Sequence, residues 1–158
     1  MNRMSPIIIV ITTLILFYYY GCFSPMESVD SEKLFGAWKL GGILYDTGEV
    51  LMPKSGQLYW FILKEDLVEA EGGMHHMIKG AAYCNWAEGW FDYTKTGDIN
   101  ITFICSRLVC GISTEFCAAM STSYRYVFRN GRLILSFEYP TIEISPNKGK
   151  IILKPFEP

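Results

Sequence analysis

Beyond residue 34 the chain alternates apolar and polar positions with a period of two over much of its length, the pattern of strands half-buried against a core. Residues 34–40 open the pattern, with Trp38 and Leu40 alternating against Ala37 and Lys39, and 43–45 continue it. Asp46-Thr47-Gly48-Glu49 is a turn signal in which Gly48 is free to take positive φ. A short strand over 49–52 is closed by Pro53-Lys54-Ser55-Gly56. Residues 57–64, QLYWFILK, are too continuously apolar for an exposed strand and too short for a helix, which predicts a buried central strand. The acidic stretch 65–73 ends on Gly72-Gly73 and reads as an edge strand or a loop. Residues 80–93, GAAYCNWAEGWFDY, read as two short strands folded about a Cys84-Asn85 corner.

Residues 98–103 place Ile99, Ile101 and Phe103 on one face of a further strand. The period then changes. Ser113 or Thr114 can cap a short helix, Glu115 sits favourably in its first turn, and Phe116, Ala119 and Met120 make its buried stripe. Residues 124–129 and 132–137, joined by Asn130-Gly131, form the clearest hairpin, with a type I′ turn. Tyr124, Tyr126 and Phe128 fall on one face of its first strand, and Leu133, Leu135 and Phe137 on one face of its second. A final strand covers 149–153. The predicted fold class is mainly β (α+β): a curved antiparallel sheet or incomplete β-barrel with one short helix.

Composition supports one domain, since 158 residues that are 50% hydrophobic and 15% aromatic can fill a single core. The N-terminus adds an address. Asn2-Arg3 precedes the apolar run 7–20, which is short for a membrane-spanning helix and matches the apolar region of a secretory signal. The run ends at Gly21-Cys22, which resembles the cleavage site of bacterial lipoproteins, where the cysteine is acylated. Tyr19 and Tyr20 stand where that pattern has Leu and a small residue. The expected organisation is a signal peptide over 1–21, a flexible tether over 22–33 and a β domain over 34–158, with lipidation at Cys22. An uncleaved membrane anchor and a plain secreted protein are the alternatives. Loss of 1–21 removes only Arg3 from the 14 basic side chains and none of the 16 acidic ones, a net charge of about −3. Such a surface lacks the basic face that nucleic acid requires.

With Cys22 set aside, Cys84, Cys105, Cys110 and Cys117 remain, an even number in a compartment that permits disulfides and allows three pairings. The rival reading is zinc, but there is no CxxC or HxxxH spacing. Cys105 and Cys117 also suit free, buried positions. His75 and His76 are adjacent, so on a strand they point to opposite faces and cannot share one ion, and no nucleophile stands at a recognisable spacing from them. Glu88 and Asp92 are candidates for acid and base work, and equally an ordinary charged face. The expectation is no catalytic residue, no metal and no cofactor.

The order of landmarks resembles the META domain of small heat-inducible bacterial envelope lipoproteins. Leu34, Gly36, Trp38 and Leu40 fall like that family's opening L-x-G-x-W-x-L, and Tyr83-Cys84-Asn85 followed by 89–91 falls like its Gly-Cys-Asn with a later glycine and aromatic. Cys110, Glu115, Phe116, Tyr126, Gly131, Leu133 and Leu135 follow in the family's order. Tyr83 stands in place of the usual glycine, and Cys105 and Cys117 are additions. The resemblance implies a disulfide between Cys84 and Cys110, with Cys105 and Cys117 as the second pair. A lipocalin-like domain, which also opens on G-x-W, is the competing likeness. The function expected is non-catalytic: a domain held on the membrane through a lipid anchor, in the bacterial envelope at the outer membrane. Its concave face would bind a lipid, a small apolar ligand or an envelope protein. Trp60, Phe91 and Tyr93 supply rings for this, and Trp86 and Trp90, four apart and so on one side of a strand, are the binding residues to test.

Overall fold

In chain order the strands are β1 (Gly36–Tyr45), β2 (Val50–Leu51), β3 (Tyr59–Ala70), β4 (Gly73–Ala82), β5 (Asn85–Tyr93), β6 (Ile99–Cys105), β7 (Ser123–Arg129), β8 (Arg132–Glu138) and β9 (Lys148–Pro155), with helix α1 (Ser113–Ser121) between β6 and β7. The structure is a computed structural model and describes residues 28–106, 108, 110–140 and 148–157. The expected leader, Cys22 and the tether up to residue 27 lie outside the described residues. Two-residue β2 pairs with β1, and the other strands form one antiparallel sheet in the order β6-β5-β4-β3-β1-β9-β8-β7. The sheet curls until its two ends meet at one point, where the Tyr126 N–H donates to the Gly97 carbonyl at 2.7 Å and Asp98 bridges Arg125. The result is a nearly closed barrel with an unsealed seam between β6 and β7.

Each half of that seam has its own cover, which spares two strand edges from exposure. Along β6, α1 lies against the edge: the Ser121 hydroxyl donates to the Phe103 carbonyl at 2.8 Å, and Cys117 is bonded to Cys105. Along β7, Ser28 exchanges both backbone hydrogen bonds with Phe128, at 2.9 and 2.7 Å. The described part of the expected tether is therefore docked, and Ser31–Lys33 forms a single 3-10 turn.

Alternation decides what fills the barrel. Tyr59, Phe61 and Leu63 of β3 point inward, as do Phe91 of β5, Phe103 of β6 and Tyr126 of β7, all buried. Phe116 enters from α1 and packs its ring 5.6 Å from Tyr59, 6.4 Å from Phe61 and 6.0 Å from Phe103. The expected helix stripe is buried as read, with Phe116, Ala119 and Met120 inward. Ser113 is not the cap, however. Ile112 occupies that position, and the Ser113 hydroxyl instead accepts the Cys110 N–H at 3.2 Å.

Several element readings need correction. The stretch 57–64 is not buried on both faces: it belongs to a longer strand whose Trp60, Ile62 and Lys64 face outward. The acidic stretch becomes the end of β3 and the start of β4, joined by Glu71 and Gly72 at φ 48° and 81°. A register shift between Leu63 and Leu67 lets this hairpin run on beyond the barrel wall, since β1 pairs β3 only as far as Gly36 opposite Leu63. The Asn130-Gly131 turn forms as expected, at φ 52° and 69°. Tyr124 does not join Tyr126 and Phe128 inside, because a register shift between Ser123 and Arg125 turns it to solvent.

Candidate functional site

Residues 80–93 divide their side chains between two faces. In β5, Asn85, Ala87 and Phe91 are buried, so Trp86, Glu88, Trp90 and Asp92 necessarily point out. The two tryptophans share a face, about 13 Å apart along the strand at ordinary strand rise. That face is the convex exterior, and Trp60 joins them there; of the rings expected on the concave side, only Phe91 and Tyr93 are on it.

Register places the neighbours. Trp86 lies opposite Ala81, which lies opposite Trp60, so a methyl floor separates two indoles on strands about 10 Å apart. Glu88 lies between Lys79 of β4 and Ile104 of β6, and Trp90 between Met77 and Thr102. Two shallow depressions result, of about 370 and 300 Å³, and both are lined by Glu88 and Ile104. Trp86 borders the first, and Trp90, Met77 and Val68 border the second. Trp86 is 82% exposed and Ile104 56%. The surface is thus an apolar strip crossed at its middle by one opposite-charge pair of positions.

The histidines separate as strand alternation requires. His76 turns inward, with its ring 5.4 Å from Phe91 and Tyr93, and its Nδ1 lies 3.1 Å from the Glu65 carbonyl. His75 turns outward, and its Nδ1 lies 2.8 Å from the Asp92 carboxylate. The pairing of His75 with Asp92 is the one meeting of titratable candidates that spacing in the sequence did not reveal, because it is made across two strands. Its Nε2 is buried without a hydrogen-bond partner among the described residues and sits where a Cβ on Gly73 would be 3.0 Å away. The nitrogen that a reaction would use therefore faces backbone. Among the described residues no three His, Cys, Asp or Glu side chains converge to hold a metal ion.

The Cys84-Asn85 corner is built as a clamp. Tyr83 takes the left-handed conformation at φ 60°, at the position where the resembled family has glycine. Cys84 is bonded to Cys110, with Cα atoms 6.4 Å apart. Asn85, 4% exposed, accepts from the Ser106 hydroxyl at 2.8 Å and the Leu108 N–H at 3.0 Å, and its amide donates to the Leu108 carbonyl. Tyr59 holds the same loop from below, its hydroxyl accepting the Ile112 N–H at 2.9 Å. Burial pushes the Tyr59 phenol above its ordinary range. Asn85 is the residue that sequence reasoning undervalued, treating it as a turn former when its side chain organises the loop before α1.

No protein-family model matches the chain, and no curated protein matches it in sequence. A solved structure does match in shape: the NMR structure of a protein from Burkholderia xenovorans, 14% identical, superposes over 80% of this chain and 86% of that one with a TM-score of 0.56. At that identity the likeness is one of fold, a nearly closed antiparallel barrel with a helix against it.

Proposed function

We propose that this is a lipid-anchored protein of the bacterial envelope, held at the outer membrane through Cys22, whose META-like domain binds a partner through the exterior of β3–β6 and performs no chemistry. The observation that carries the binding reading is Trp86. A side chain able to contribute about 2 kcal/mol by burial is left 82% in water, on the same face as Trp90 and beside Ile104. Rings placed this way suit an interface with an apolar or aromatic ligand, a lipid or an envelope protein. The tie from Cys84 to Cys110 supports the META likeness, which implies that pairing.

A lipocalin-like domain with a ligand inside the barrel is the second reading, and the barrel shape favours it. The mutual packing of Phe61, Phe103 and Phe116 weighs against it, because those rings take up the space a ligand needs. A hydrolase reading gains the His75–Asp92 pair but is weakened by the occlusion of His75 Nε2. The test is native mass spectrometry of the mature protein purified from its own envelope. Wild type is expected to retain a lipid or protein mass that Trp86→Ala loses, with stability changed by no more than about 0.5 kcal/mol, as for an exposed side chain. A bare wild-type monomer sinks the binding reading.

A further inference from the structure

At the end of the barrel where the chain enters, an open groove of about 550 Å³ is floored by Phe35, Trp38, Phe128 and Pro155. Trp38 is fixed there by its indole N–H, which donates to the Leu34 carbonyl at 3.0 Å, and by its ring, 6.0 Å from Phe128. Two cationic residues, Arg129 and Lys33, stand on its wall, and the Lys33 ammonium is 2.7 Å from Asp30. Ser28 is itself a wall residue, locked to Phe128 by two backbone hydrogen bonds. Cys22 is six residues before Ser28, so at full extension its Cα stays within about 22 Å of that wall residue.

From this reach and this lining we infer that the groove shelters one acyl chain carried by Cys22 of the same molecule. The inference rests on the anchor reading above. The short reach from Cys22 favours the chain's own acyl group over seating on a bilayer surface, and the charge at this end adds to that. β3 leaves the barrel wall here, at Leu63 opposite Gly36, and its projecting hairpin presents Glu65, Asp66, Glu69 and Glu71, all exposed. Those carboxylates outnumber Lys33 and Arg129 on the groove wall, so the groove and its hairpin offer no basic excess to seat them on an anionic lipid surface, whereas an uncharged acyl chain arriving on a tether needs none.

The experiment grows cells on a diazirine-bearing palmitate analogue, purifies the full mature chain and reads its intact mass before irradiation. An acylated chain is expected to give intramolecular adducts on peptides containing Phe35, Trp38 or Phe128, and a Cys22→Ser chain to give none. An unacylated wild-type chain removes the anchor reading and this inference together. An acylated chain whose adducts fall only on phospholipid, or on the Trp86–Trp90 face, removes this inference and leaves the anchor standing.

Discussion

Tyr83 carries a cost that the resembled family avoids. A side chain in the left-handed region costs about 1–2 kcal/mol, while glycine at a fixed turn gives back about 0.5–1 kcal/mol through the freedom of the unfolded chain. The ring's contact with Tyr59, at 6.1 Å between centroids, is made by a side chain still 46% exposed and offsets little. Tyr83→Gly is therefore expected to stabilise the domain by about 0.5–1 kcal/mol, read as a rise in the urea midpoint at unchanged slope. A lower midpoint would show that the ring contact outweighs the strain. Position 83 was legible as a departure from the glycine of the resembled motif, but the sign of φ was not, because a tyrosine carries no signal for that conformation. Asn85 is the complementary case. Its residue type announced a turn, and its three bonds to Ser106 and Leu108 are long-range contacts that no local pattern encodes.

Among the elements, α1 depends most on a covalent tie. It covers the free edge of β6 through one hydroxyl and through Cys105–Cys117, twelve residues apart in sequence. Closing a loop of that length is worth about 3 kcal/mol by the loop-entropy account. The double variant Cys105→Ser, Cys117→Ser is expected to lower Tm by about 10 °C and to speed amide exchange in 113–121 ahead of the strands. A peptide map of non-reduced, alkylated protein should join Cys84 to Cys110 and Cys105 to Cys117, and a free thiol at Cys84 overturns the clamp. The sequence was most readable where one element supplies its own signal, as at Asn130-Gly131 or the stripe of Phe116, Ala119 and Met120. It was least readable over 65–75, where Glu71-Gly72 makes the turn without the usual Asn or Asp and the acids mask the strand period. The face taken by Trp86 and Trp90 was also hidden, since alternation says that they agree and not which way they point.

For the whole molecule, the phenols set an alkaline limit. Desolvation by burial is the first cause that holds Tyr45, Tyr59, Tyr126 and Tyr139 above the ordinary tyrosine range, and hydrogen bonding to Tyr45 pushes Tyr139 further up. A group whose folded pKa is raised keeps its proton in the fold after the unfolded chain has lost it. Its contribution is complete below about pH 10 and falls as pH rises toward the folded values. Absorbance of phenolate from Tyr45, Tyr59, Tyr126 and Tyr139 is expected to rise only together with loss of the fold. Ionisation of these four phenols near pH 10, with the fold intact, contradicts this.

The place of β9 has a consequence for how the chain can be delivered. It is the last of the described strands to be made, yet it sits in the interior of the sheet, between β1 and β8, with Trp38 opposite Pro155 and Leu133 opposite Leu153. Until it arrives, β1–β6 and β7–β8 are two fragments with open edges. A polypeptide emerging N-terminus first cannot complete this barrel progressively, because its earliest strand waits for its latest. Under the envelope reading proposed above, that order of assembly suits passage through a narrow channel: the topology itself holds the chain short of completion until its last described strand has emerged.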